Sequence, residues 1–285
     1  MQLKIPAILI LWILFNSCNS EIVSENDLKE MNLHGNVKSL KELSYTAIIE
    51  FGEIKKGVKG RENPWNKDGY IIFNNSGNKI IEYTYTAEDF PNTSRVFKYG
   101  VNGEITEMNW YAQDSILLNK WVYKYDNEGN MVEENSIQSG DSLSTKTTYK
   151  YNEKGYVVEE NFYASDGSHG SKRTFRYNLK GNNVEEICYD KDGNFDEKFI
   201  YKYDRNGNKI KFSCYIVYET LNREATYKYD NKDNIAEWSY HESYDNYNKK
   251  HTYKYTFDKQ NNWIVQVVYI NEIPKFIIER KIEYY

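Results

Sequence analysis

The chain has 285 residues, a formal net charge of -5, 28 tyrosines and only 4 prolines. Leu, Ala and Met are scarce while Tyr, Ile, Val, Thr and Phe abound, which argues against a helical protein and for pleated, half-buried sheet. Charges of both signs interleave without a basic block, so nucleic acid is not an expected partner.

In chain order, the first segment is an export signal. Lys4 precedes an apolar run, Ile5 to Phe15, of 11 residues. That is too short to cross a bilayer, which takes about 20, and it suits the h-region of a secretory signal. The run ends at Phe15-Asn16-Ser17-Cys18 and a polar, acidic stretch follows. This resembles a bacterial lipoprotein signal, which implies that residues 1–17 are removed, that Cys18 carries the lipid, and that 18–30 are a tether. The expected location is the cell envelope, at the outer membrane, on its periplasmic side or surface. Residues 31–72 read as a degenerate N-terminal capping unit: Gly35-Asn36-Val37 echoes the later turns, and 47–64 is an insertion before Trp65-Asn66-Lys67-Asp68-Gly69.

Residues 73–285 are periodic. Phe73, Tyr99, Tyr125, Tyr151, Tyr177, Tyr203 and Tyr229 recur every 26 residues, each followed four positions later by Gly77, Gly103, Gly129, Gly155, Gly181 and Gly207, then by Asp233. A fixed period marks one small unit stacked on copies of itself. Within a unit, Tyr123-Lys124-Tyr125 alternates with the period of a strand. Asp126 to Asn130 is a turn, and Met131-Val132-Glu133-Glu134 begins the return strand. That register sets Tyr125 against Val132 and Lys124 against Glu133. Lys124, Lys150, Arg176 and Lys228 would then face Glu133, Glu159, Glu185 and Glu237, while Lys202 meets Lys211. Such pairs are worth a few tenths of a kcal/mol each but pin the register, because a slip of one residue would turn every lysine to the apolar face. Asp166-Gly167 and Asp192-Gly193 supply the second turn. The fold class is therefore all-β: an elongated, curved or spiralling antiparallel meander of 26-residue two-strand repeats. Eight units laid flat would make a ribbon roughly 75 Å long, and Phe276 to Tyr285 would be its charged terminal edge.

Tyr123 to Asn130 and Tyr201 to Asn208 (YKYDNEGN and YKYDRNGN) resemble the YD repeat of Rhs-type proteins over about residues 70–270. In large relatives this resemblance implies a spiralling β-shell around a toxin. Here it implies a curved or spiralling sheet only, because the units are few. The nearer likeness is to short YD-repeat lipoproteins of Gram-negative envelopes. No catalytic residue comes with the motif.

Little in the sequence carries chemistry. His34, His169, His241 and His251 show no metal-ligand spacing and read as ordinary surface histidines. Cys188 and Cys214 lie one repeat apart, on strands separated by another, so their Cα atoms should be near 9.6 Å. A disulfide needs roughly 4.4–6.8 Å, and no bridge is expected. Asp126, Asp204, Asp230 and Asp258 alternate with Asn152 and Asn178 in one column, which suits Asx turns better than calcium. Glu133-Glu134, Glu159-Glu160 and Glu185-Glu186 are neighbours on a strand and point to opposite faces, so they do not flank one glycosidic bond. No cofactor or metal is expected.

The candidate recognition surface is aromatic. The return-strand column Tyr85, Tyr111, Tyr163, Tyr189, Tyr215 and Tyr269 falls on the Lys/Glu side by alternation, as an exposed ladder. The same alternation puts Glu134, Glu160 and Glu186 on the Tyr face, at a cost, and one β-bulge would instead turn the ladder inward. Both placements stand at this point. Tyr111, Tyr163, Tyr189, Tyr215, Trp110 and Trp238 are the candidate ligand-binding residues, with a glycan or an envelope protein as partner. The expected role is non-enzymatic binding or adhesion by a membrane-tethered protein. The alternatives are a structural spacer or assembly partner and, more remotely, a carbohydrate-active enzyme.

Overall fold

The computed structural model describes residues 26–60, 68–85, 91–140, 142–217 and 220–285. The expected signal, Cys18 and most of the tether lie outside them, as do 61–64 of the insertion. A four-residue helix, α1 (Asp27–Glu30), precedes nineteen strands. These are β1 (Val37–Glu50), β2 (Glu53–Lys59), β3 (Gly69–Phe73), β4 (Lys79–Tyr85), β5 (Pro91–Tyr99), β6 (Ile105–Ala112), β7 (Leu117–Tyr125), β8 (Met131–Gln138), β9 (Ser142–Tyr151), β10 (Val157–Ala164), β11 (His169–Tyr177), β12 (Asn183–Tyr189), β13 (Phe195–Tyr203), β14 (Lys209–Ile216), β15 (Thr220–Tyr229), β16 (Ile235–Glu242), β17 (Tyr247–Phe257), β18 (Trp263–Ile270) and β19 (Ile273–Tyr284).

Consecutive strands from β3 to β19 pair antiparallel, as the repeat requires. The ends then meet: β1 pairs with β19 from Val37↔Tyr284 to Thr46↔Phe276, and with β3 from Ser39↔Ile72 to Glu42↔Gly69. The sheet is a closed barrel of eighteen strands, with β2 outside the ring as a hairpin partner of the far half of β1. This corrects the elongated or spiralling ribbon, and β19 is not an edge. Closure turns the tyrosine face inward and removes both edges in one step.

The repeat chemistry explains the wall. In the unit 125–130, Asp126 Oδ1 accepts the amides of Glu128 and Asn130, both at 2.9 Å. Asn152, Asn178, Asp204, Asp230 and Asp258 do the same in their copies. The column is thus used in Asx turns, and Asn serves as well as Asp. The glycine four residues after each tyrosine holds a left-handed φ, 85° at Gly129, and Asp233 keeps it at 59° where the sequence pattern weakens.

The tyrosine has its own task. Its hydroxyl donates to the carbonyl twenty residues earlier: Tyr125 to Ile105 and Tyr151 to Met131 at 2.7 Å, with Tyr99, Tyr203, Tyr229 and Tyr255 alike. Tyr285 repeats this bond at the seam, to Phe73 at 2.7 Å. One detail differs from expectation. Tyr125 pairs with Met131, not Val132, because Val132 is bulged out, while Lys124↔Glu133 holds. The bulge lies before Glu133, so the alternation beyond it is unchanged.

Two buried clusters sit on the tyrosine face. Leu28, Leu33, Val37, Leu40, Ile71 and Phe73 join the N-terminal segment to the seam. Asp27 accepts the Lys79 amide, Leu28 donates to the Gly77 carbonyl and the His34 amide donates to Asn262, so this segment ties the turns of one rim together. The second cluster is Phe199, Tyr201, Phe212, Cys214 and Ala225 on β13–β15. The crowded, concave side of a closed sheet is its inside, so the tyrosine face lines the interior.

A candidate binding lumen

An eighteen-stranded barrel is too wide for wall side chains to meet at the centre. With strands about 4.7 Å apart and tilted about 40°, its backbone radius is about 18 Å. Among the described residues, every ring–ring contact joins neighbours along the sheet and none crosses the interior. The inner wall therefore faces a lumen.

The outer wall is a charge ladder. Lys98–Glu107 (2.7 Å), Lys124–Glu133 (2.6 Å), Lys150–Glu159 (2.6 Å), Arg176–Glu185 (3.0 Å) and Lys228–Glu237 (2.9 Å) pair as the register expects. Lys211, opposite Lys202, pairs with Glu224 at 2.6 Å instead. Lys120, Lys198 and Lys250 add a second cation to three of these glutamates. Glu107, held first by Lys120 and then by Lys98, is pulled down to about 2. A lipid-facing barrel wall carries an apolar band about 25 Å tall, and a Lys or Arg at its midplane costs about 2–4 kcal/mol. This wall is charged along its height and suits water.

The return-strand tyrosines lie on this outer wall, as the alternation reads. They are half-buried, and lysine ammonium groups cover them: Lys146 lies 5.0 Å from the Tyr163 ring centre, Lys172 4.9 Å from Tyr189 and Lys254 5.1 Å from Tyr269. Tyr111 and Tyr215 occupy the equivalent outward positions, opposite Ser94 and Lys198. Trp110 and Trp238 point the other way, into the lumen, as ladder partners of Arg95 and Tyr227. The six candidate residues thus divide between two walls and do not form one ladder.

The inner wall combines aromatics with charge. Across β9–β13 the row is Tyr149, Glu160, Arg173, Cys188, Glu197. Arg173 bridges Glu160 at 3.3 Å and Glu186 at 2.9 Å, and the Tyr201 hydroxyl donates to Glu186 at 3.1 Å. Burial works against the Arg173 charge, but Glu186 and Glu160 hold its pKa above the ordinary value. Arg223 reaches Glu197 at 3.5 Å. Lys209 lies 4.3 Å from the Tyr201 ring centre, and burial pulls its ammonium down to about 8. Cys188 and Cys214 are free thiols on this wall, raised by burial to about 11 and about 12.

Glu134 stands apart. It faces Tyr123 across the ladder and has no salt-bridge partner among the described residues. Burial, reinforced by the charge of Glu160, raises its pKa. A carboxyl raised in the folded state holds its proton more tightly there, so stability falls as pH climbs from the ordinary carboxylate range through the shifted value. Glu134→Gln is expected to stabilise the barrel at pH 7 by about 1 kcal/mol, some 2–4 °C in Tm, the low end for an uncompensated polar group. The gain should vanish near pH 4, and thermal melts at both pH values check it.

One finding corrects the sequence reading of the polar residues. His251 is not a surface histidine: it is 3% exposed, packs 4.8 Å from Trp238, and burial lowers it to about 4. Among the described residues its Nε2 has no hydrogen-bond partner, and neither have the buried Trp110 Nε1 and the Oδ1 of its ladder partner Asn119. The period-two run His251-x-Tyr253-x-Tyr255-x-Phe257 was the signal for an aromatic inner strand. Among the described residues the insertion borders an open cleft of about 390 Å³ beside Thr46, Ile49, Ile273 and Phe276, with Lys275 its one titratable lining residue.

No protein-family model matches the sequence, and no curated protein sequence matches it. Solved structures similar to this chain include a porin-like protein from Bacteroides uniformis, at 13% identity and a TM-score of 0.42 over 87% of this chain and 96% of that one. A porin-like protein from Bacteroides vulgatus follows at 10% and 0.37, over 88% and 99%. A TcdB2–TccC3–Cdc42 structure aligns at 10% and 0.29, over 84% of this chain but 19% of the other. Likeness at these levels transfers no activity or ligand.

Proposed function

We propose that this is a non-enzymatic binding protein of the cell envelope, a YD-type repeat barrel lipid-anchored through Cys18, which takes a glycan or protein partner against its aromatic inner wall. One observation carries the reading. The closed sheet turns its uncovered aromatic and unpaired polar groups inward and its satisfied ion pairs outward. Lysines lie over the outer Tyr163, Tyr189 and Tyr269, whereas among the described residues no cation lies over the inner Tyr253 and Tyr255. The ordered Lys/Glu ladder favours the second reading, a structural spacer whose outer wall serves only solubility.

The two readings separate on a glycan and envelope-polymer array probed with residues 19–285. Binding is expected for the unmodified protein and for Tyr163→Ala/Tyr189→Ala/Tyr215→Ala, and loss of at least tenfold for Trp110→Ala/Trp238→Ala, all three being folded by circular dichroism. Loss in the outer triple variant alone would return the site to the outer ladder. No binding by any of the proteins would leave the spacer.

A further inference from the structure

Resting on the lumen reading, we infer that the wall formed by β16–β18 is a track for a linear, uncharged oligosaccharide laid along these strands. The track is a chain of rings without a break. From Tyr247 it runs to Tyr240 (6.5 Å between centres), Trp238 (5.8 Å), His251 (4.8 Å), Tyr253 (6.2 Å), Tyr255 (6.5 Å), and then Phe257 (6.0 Å) and Trp263 (5.9 Å). All lie on the inner face, and β17 spans about 33 Å at 3.3 Å per residue, so the rings reach from one rim to the other.

Three observations select the ligand class. Apart from the buried histidine and the exposed Tyr247, the rings are half-buried, so each keeps part of its surface open on the inner wall. This is a stacking platform for the apolar faces of flat rings. The track is also nearly charge-neutral. Arg280 stacks 3.4 Å from the Trp263 ring centre, and Glu42 holds it at 2.8 Å. Glu242 accepts from the Tyr240 hydroxyl. The remaining charges are Lys249, ladder partner of Tyr240, and Lys232, which lies 4.2 Å from the Phe257 ring centre. A polyanion would find no row of free cations, and a cationic peptide no row of free carboxylates. Third, the polar groups beside the rings are neutral: Gln266 is the ladder partner of Tyr255, and its Nε2 donates to the Tyr255 hydroxyl at 3.0 Å. Sugar hydroxyls can pair with such groups, whereas a hydrocarbon ligand would offer them nothing.

Length dependence distinguishes a track from a single subsite. Intrinsic tryptophan fluorescence would be titrated with malto-, cello- and chito-oligosaccharides of two to eight sugars. Affinity in one series should rise with each added sugar until the chain spans the track, then level off. Trp238→Ala/Tyr253→Ala should weaken the longest ligand at least tenfold and flatten the length dependence. Tyr253→Phe, which keeps the ring, should stay within twofold. Trp121→Ala, ladder partner of the buried Met108 on the opposite stretch of the inner wall, should leave it unchanged. Binding lost only in the opposite-wall variant would overturn the track but keep the lumen reading. Loss only in the outer-ladder triple variant would overturn both. Affinity independent of length, or no binding in any series, would overturn the track.

Discussion

Arg173→Met is expected to destabilise the barrel by about 2–3 kcal/mol at pH 7.5. Removing one partner of a fully buried ion pair costs about 3–5 kcal/mol, because the other charge stays behind uncompensated. Arg173 holds two such charges, yet its side chain remains 39% exposed, against 24% for Glu160 and 13% for Glu186, and solvent screening reduces the penalty. The pH dependence identifies the cause. Burial already raises Glu160 and Glu186, with Arg173 opposing it. Without the guanidinium both rise further, so the folded state binds protons more tightly and the loss shrinks as pH falls toward 5. Denaturant melts at pH 7.5 and 5 test this. Arg173→Met/Glu160→Gln/Glu186→Gln should recover to within about 1 kcal/mol of the parent, since a neutral, well-packed replacement often matches an ion pair. A loss independent of pH would mean that Arg173 acts through packing alone.

That triad shows which features of the inner wall were legible in the sequence. A strict period of two fixes which residues share a face, so Glu134, Glu160 and Glu186 fall beside the tyrosines by counting alone. What counting does not supply is the cation. Arg173 answers Glu160 and Glu186 from β11, a column that other repeats fill with Thr147, Phe199 and Ala225. The outer ladder was legible because its Lys and Glu columns repeat with few exceptions. The mismatch Lys202–Lys211 resolved itself through Glu224, which belongs to the next hairpin and therefore escapes a single-hairpin register. The Val132 bulge left no trace in composition.

The tyrosines divide for a similar reason. Tyr125 and Tyr163 are the same residue type at different phases of the alternation, one clipping a carbonyl inside the barrel and one lying under Lys146 outside. Adjacent residues such as Trp110 and Tyr111 must face opposite ways, so a site assembled from both could not exist on one wall. His251 looked unremarkable because a histidine without a ligand-type neighbour carries no pattern of its own. Its burial comes from Trp238 on the next strand, a pairing set by register.

Closure was the least legible feature, and it has the most decisive test. A disulfide introduced as Lys41→Cys/Lys281→Cys is expected to form within the monomer and stabilise it by up to about 5 kcal/mol. Lys41 and Lys281 are direct partners in the β1–β19 ladder, on the outer wall. Antiparallel partners lie about 4.5–5.5 Å apart, within the range a disulfide spans. The loop closed is about 240 residues long, for which the chain-entropy limit is about 5 kcal/mol, any strain subtracting from it. No local signal announces this pairing, because β1 and β19 stand at opposite ends of the sequence and meet only when twist and coil have accumulated over every intervening hairpin. Cys188 and Cys214 can stay in place, since burial keeps their thiols protonated and slow to exchange. Non-reducing electrophoresis and melts under oxidising and reducing conditions give the readout, with Lys124→Cys/Lys281→Cys as a pair too far apart to join. Efficient cross-linking of the first pair alone is the result a barrel requires. An open spiral would leave the two introduced thiols unlinked within one chain, and its melting temperature would not respond to reductant.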